Sequence, residues 1–180
     1  IFWGVLYRCL GRPLLFRLPP ETAMSISDRA LALQPLWRVL APSDAEVALP
    51  TSMAGIPLRN PIGLAAGLDK RCQFLGSAGD LGFGYVVGGT VTAHSRSGNA
   101  QPRVLRIVET ESAINALGFP GDGLDAAVKR LERLRHRPAK VLISTAALEE
   151  QETLYCMTRL EEVCEGVELN ISSPNTEGLR

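Results

Sequence analysis

Residues 168–180 read ELNISSPNTEGLR. A β-branched, apolar run (Val167, Leu169, Ile171) opens here into Asn170, Ser172, Ser173, Asn175 and Thr176, pinned by Pro174. Five small polar side chains within seven residues bring amide and hydroxyl donors and acceptors together, as hydrogen-bonded ligand recognition requires. The same residue types also build turns. Two further polar strings resemble this one in setting: Ala65-Ala66-Gly67-Leu68-Asp69-Lys70, and Gly88-Gly89-Thr90-Val91-Thr92. Each follows a short apolar run.

Those runs belong to a repeating pattern. NPIGLAAG (60–67) reads as a buried strand behind Pro61, and Phe74, Leu75, Ala78 and Leu81 follow at helical spacing. GYVVGGTV (84–91) is a second strand. Leu124, Val128, Leu131 and Leu134 share one face of a helix over 123–137. AKVLIS (139–144) is a third strand, and Leu154, Met157, Leu160 and Cys164 mark a helix within 148–166, stopped by Gly166. VELNI (167–171) is the fourth strand. The alternation predicts an α/β fold with a parallel sheet and helices outside it. The polar strings then sit at the carboxyl ends of strands, where such sheets place ligands. Residues 92–121 are too long for an ordinary connection, and long loops are often functional.

Composition narrows the classes. The chain has 180 residues, 46% hydrophobic, with 19 basic and 19 acidic side chains. That balance argues against a nucleic-acid partner and against a disordered tail. Cys9, Cys72, Cys156 and Cys164 form no CxxC pair, and His94 and His136 are the two histidines, so no metal site is expected. No GxGxxG follows a strand.

Residues 1–42 differ in character. Arg8 and Arg12 fall on one helix face, while Trp3, Leu6, Leu10 and Leu14 can share another; Pro13 is expected to bend or end that helix. Pro20 with Glu21 behind it signals a second helix, limited by Pro35. Charge interrupts the apolar run too often for a spanning helix. Two readings stand: a monotopic membrane anchor, or a helical hairpin packed on its own domain.

NPIGLAAGLDK (60–70), GFGYVVGGTVT (82–92), INALGFPGDG (114–123) and LNISSPNTEGLR (169–180), in that order and spacing, resemble the membrane-associated, quinone-linked class of dihydroorotate dehydrogenases. The resemblance covers nearly the whole chain. It implies a (β/α)8 TIM barrel holding FMN at its mouth, here as the first four β/α units behind an N-terminal helical segment. Residues 1–42 would serve membrane association and quinone entry, and 43–180 would be the N-terminal half of the FMN-binding barrel. The implied reaction oxidises dihydroorotate to orotate in pyrimidine synthesis and passes electrons to a quinone.

Carried over residue by residue, the flavin would meet Ala66, Gly67, Leu68, Asp69, Lys70, Thr90, Ser144 and Asn170. The substrate would meet Lys70, Asn115, Ala116, Leu117, Gly118, Phe119, Asn170 and Asn175. Ser173 would be the base, where the soluble sister class has cysteine, and Arg106 would stand near the quinone tunnel. The implied location is a membrane surface: the cytoplasmic face of a bacterial inner membrane, or the mitochondrial inner membrane.

Several positions depart from the family pattern. Ala116 stands where the family has arginine, Pro120 where it has asparagine, Met24 where it commonly has histidine, and Ser144 where it has a flavin-binding asparagine. The family's later lysine, its further Asn and Thr, and its glycine-rich phosphate loop have no counterpart in these 180 residues. The expectation is a piece of a longer protein that binds FMN poorly alone. The competing expectation is a diverged, non-catalytic relative acting as a membrane-associated interaction module.

Overall fold

The computed structural model describes residues 2–41, 49–147, 149–173 and 176. The N-terminal segment begins with α1 (Phe2–Leu6), a π-helical turn over Tyr7–Gly11, and α2 (Arg12–Phe16). Pro13 does not end this path. Its ring crowds the carbonyl four residues back, at Cys9, and the wide π turn at that point gives it room. Helix α3 (Pro20–Leu31) starts on Pro20, whose missing N–H costs nothing in a first turn. Pro35 opens a new helix, α4 (Gln34–Leu40), rather than only ending the previous one. The Trp37 indole donates to the Ala30 carbonyl at 2.7 Å and holds α4 against α3.

A short antiparallel hairpin follows, β1 (Thr51–Met53) and β2 (Ile56–Leu58). The body then runs β3 (Gly63–Leu64), α5 (Leu75–Asp80) and β4 (Tyr85–Val91). The long connection of residues 92–121 holds a second antiparallel hairpin, β5 (Val104–Ile107) with β6 (Ser112–Asn115). After it come α6 (Leu124–Arg133), β7 (Lys140–Thr145), α7 (Glu150–Glu161) and β8 (Gly166–Leu169).

Strands β3, β4, β7 and β8 form one parallel sheet in that order. Order in space follows order in sequence, as in a barrel wall; a doubly wound sheet reverses direction part-way. The core lies between this sheet and its helices. Val86, Val141 and Ile143 meet Leu75 of α5, Leu124 and Leu131 of α6, and Cys156 and Leu160 of α7. Alternation along β7 sends Leu142 and Ser144 to the opposite face.

Among the described residues two ion pairs tie the N-terminal helices to the body, Arg12 with Glu111 at 3.3 Å and the shorter one between Arg103 and Glu21. Arg103, just before β5, donates through Nε to Glu21 Oε1 of α3 at 2.6 Å, and Gln101 donates to the same carboxylate. The Arg103 hydrogen bond holds the Glu21 carboxyl below its ordinary value of 4.5, with burial opposing it. A lowered folded value means stability that is complete above the unfolded value and lost as pH falls through the folded one. Glu21→Gln is therefore expected to cost about 1–2 kcal/mol at pH 7. The difference from wild type should fade as pH drops below 4.5. Urea denaturation at pH 7 and pH 3.5 reads both effects.

Candidate active site at the strand ends

The first strand stops at Leu64, but the chain beyond it stays tied to β4. Gly67 N–H donates to the Gly89 carbonyl and Gly89 N–H to the Asp69 carbonyl, each at 2.8 Å. Asp69 is buried, and its two carboxylate oxygens accept the backbone N–H groups of Gln73 at 2.8 Å and Phe74 at 2.7 Å. Burial pushes its carboxyl up, and those two donors oppose the shift. This clasp turns the loop so that Ala66, Gly67 and Lys70 face a cavity.

The cavity measures about 360 Å3 and gathers most of the residues singled out in the sequence. Ala66, Gly67 and Lys70 come from the loop after β3, Thr90 from β4, and Asn170 and Ser173 from beyond β8. Asn115, Leu117, Gly118 and Phe119 arrive from the end of the β5–β6 hairpin. The long connection thus closes the cavity from above. Ala65, Pro120 and Glu168 also line it and were not anticipated. Glu168 was legible in principle: it lies two residues before Asn170, on the same face of its strand.

Other expected residues lie outside that lining. Leu68 is 53% exposed and turned away. Asp69 spends its carboxylate on the loop backbone, as above, and Ala116 bonds through its backbone to Arg103 and Asn99. Ser144 is wholly buried behind Thr90, with their hydroxyls 3.1 Å apart. Asn170 Nδ2 donates to the same Thr90 Oγ1 at 3.1 Å. Ser144, Thr90 and Asn170 therefore form one hydrogen-bonded chain across β7, β4 and the end of β8. Asn175 falls outside the described residues.

Ser173 is buried, and its hydroxyl lies 3.0 Å from that of Thr176. Thr176 belongs to the polar cluster of residues 170–176, and its residue type alone assigns it no role. The i, i+3 spacing across Pro174 was its signal. Lys70 is half-buried, which lowers its ammonium from the ordinary value, while Asp28 and Asp69 pull it back up. Its Nζ donates to the Gly67 carbonyl.

Arg106 sits elsewhere. Its guanidinium lies 4.7 Å from the centre of the Phe16 ring and donates to the Leu15 and Leu18 carbonyls. With Tyr7, Arg8 and Arg12 it borders a cavity of about 650 Å3 between the N-terminal helices and the β5–β6 hairpin.

The family model for dihydroorotate dehydrogenase matches residues 48–180. The chain belongs to the dihydroorotate dehydrogenase family. A dihydroorotate dehydrogenase (quinone) from Psychrobacter is 35% identical over 177 residues, covering 95% of this chain and 52% of that protein. Its counterpart in Teredinibacter turnerae is 39% identical over 179 residues, covering 94% and 52%. The crystal structure of DHODH from Eimeria tenella in complex with ferulenol superposes with a TM-score of 0.76 at 28% identity, over 89% of this chain and 46% of that one. The chain thus spans about half the length of the dihydroorotate dehydrogenases it matches. The fold is that of the (β/α)8 barrel, and the parallel sheet β3-β4-β7-β8 is the first half of the wall. Among the described residues no helix is long and apolar enough to cross a membrane, and no group of three potential metal ligands occurs.

Proposed function

We propose that this chain supplies the N-terminal half of a flavin-dependent dihydroorotate dehydrogenase that oxidises dihydroorotate to orotate and hands the electrons to a quinone. The observation that carries this reading is the convergence of Lys70, Thr90, Asn115, Asn170 and Ser173 on one strand-end cavity. The residues fit the ring end of FMN. Gly67 has φ +104°, and a Cβ there would meet nothing within 4 Å, so its backbone faces open space. Thr90 and Asn170 offer hydroxyl and amide groups beside it. Lys70 is the lining cation among the described residues. When bound, the flavin supplies hydride acceptance and onward electron transfer.

The chain's own residues supply the rest. Asn115 and Asn170 both donate and accept, which suits the imide-like substrate ring. Lys70 offsets the substrate carboxylate. Ser173 takes the proton from the carbon beside the carbonyl. A hydroxyl base needs an onward route, and the Thr176 hydroxyl at 3.0 Å offers one. Thr176 also borders a small cavity of about 110 Å3 with His94 and Glu152, wide enough for water.

Residues 1–42 would rest on a membrane surface, with 43–180 as the barrel half. Leu10, Leu14, Leu33, Leu36 and Val39 are exposed apolar side chains of this segment, and Val39 is 81% exposed. Arg8 adds positive charge that anionic lipids attract, while Arg12 is ion-paired with Glu111.

The test uses the full protein expressed from its own gene. A yellow protein that forms orotate from dihydroorotate and reduces a quinone is expected. Colourless protein with no turnover, still floating with anionic vesicles, would replace this reading with the interaction module.

A further inference from the structure

Lys70 lines two cavities at once. The inner one is the strand-end cavity. The outer one, about 380 Å3, lies between α3 and the Asp69–Gln73 loop, and Leu117 and Pro120 share the dividing wall with Lys70. Most charged groups around the lysine are engaged elsewhere. Glu21 is paired with Arg103, Arg71 lies 3.7 Å from Asp122, and Asp69 accepts two backbone N–H groups. Arg29 lines the outer cavity and carries no negative charge, while Glu168 lines only the inner cavity.

Asp28, half-buried on α3, is the remaining carboxylate of the outer cavity. It stands within Coulombic reach of Lys70, but the ammonium donates to the Gly67 carbonyl instead of closing a salt bridge with it. Burial raises the Asp28 carboxyl, and Lys70 and Arg71 pull it down. Burial lowers the Lys70 ammonium, and Asp28 is the first group opposing that shift. Each partner therefore favours the charged form of the other.

We propose that Asp28 of α3 is a positioning residue for Lys70, a counter-ion that acts across the outer cavity and keeps the lysine charged at the inner one. The couple rests on the proposed function only in what that charge serves, which is an anionic substrate.

Competitive labelling with acetic anhydride reads the neutral fraction of Lys70 against pH, by mass spectrometry of its peptide, in the full protein expressed from its own gene. Asp28→Asn should raise Lys70 labelling about threefold or more at pH values below its midpoint. Asp28→Glu should restore the wild-type profile, and Asp125→Asn, the same charge change on α6, should leave it unmoved. An unchanged profile in Asp28→Asn, or an equal rise in Asp125→Asn, overturns the assignment. The reading needs neither flavin nor substrate, so orotate affinity is measured separately. A shifted profile in a protein that does not bind orotate upholds the couple and sinks the proposed function. Orotate binding with an unmoved profile does the reverse.

Discussion

For the proposed dehydrogenase, Ser173→Ala is expected to lower the rate of dihydroorotate oxidation by about 10²–10⁴-fold, the range that a positioned general base contributes. The serine is only 7% exposed, so bulk water has little access to replace its hydroxyl. Orotate affinity should change little, because Asn115 and Asn170 still line the cavity. The loss therefore falls on kcat, and stopped-flow measurement of the reductive half-reaction isolates it. Thr176→Val keeps the side-chain volume and removes the hydroxyl at 3.0 Å, and a fall of about tenfold is expected. A Ser173→Ala protein with near-wild-type rate would remove Ser173 from the mechanism and leave the cavity a binding site.

Gly89→Ala and Gly67→Ala should separate folding from binding. Both glycines have φ +104°, where a side chain is strained. A Cβ on Gly89 would stand 2.4 Å from the Ser144 carbonyl oxygen, which is backbone of the neighbouring strand and cannot step aside. Conformational strain and overpacking together should cost about 3 kcal/mol or more. The loss should show as a lower urea midpoint with unchanged slope. Gly67→Ala meets nothing within 4 Å, so its stability cost is the backbone strain alone, about 1–3 kcal/mol. Its methyl enters the space facing the cavity, and flavin retention should fall while the fold survives. Equal stability losses in the two variants would show that Gly89 is less tightly held than its surroundings imply.

Much of the frame was legible before any coordinates. Helical spacing at Leu124, Val128 and Leu131 marked α6, and the buried runs around Val86 and Ile143 marked two strands. The hairpin β1–β2 was missed because three-residue strands leave too little alternation to read. The β5–β6 hairpin hid inside a connection flagged only for its length. Within the site, strand ends and polar clusters pointed to Ala66, Gly67, Lys70, Thr90, Asn170 and Ser173, whereas Asn115, Leu117, Gly118 and Phe119 came only from the family resemblance. Depth was the missing dimension. A period of two assigns Ser144 to a face but cannot say that Thr90 stands in front of it. Nor does adjacency to Lys70 reveal that Asp69 folds its carboxylate back onto the chain. Asp28 lies 42 positions before Lys70, on a helix outside the barrel wall, and no local pattern links them.

The chain of hydroxyl and amide groups from Ser144 through Thr90 to Asn170 joins three segments that are far apart in sequence. A slip of one residue between any two of those strands would turn one member to the other face and break the chain. A ligand that needs Thr90 and Asn170 side by side therefore acts as an inspector of assembly, retaining only molecules whose strands have met in step. Cofactor content in a purified sample would then count correctly built walls, molecule by molecule.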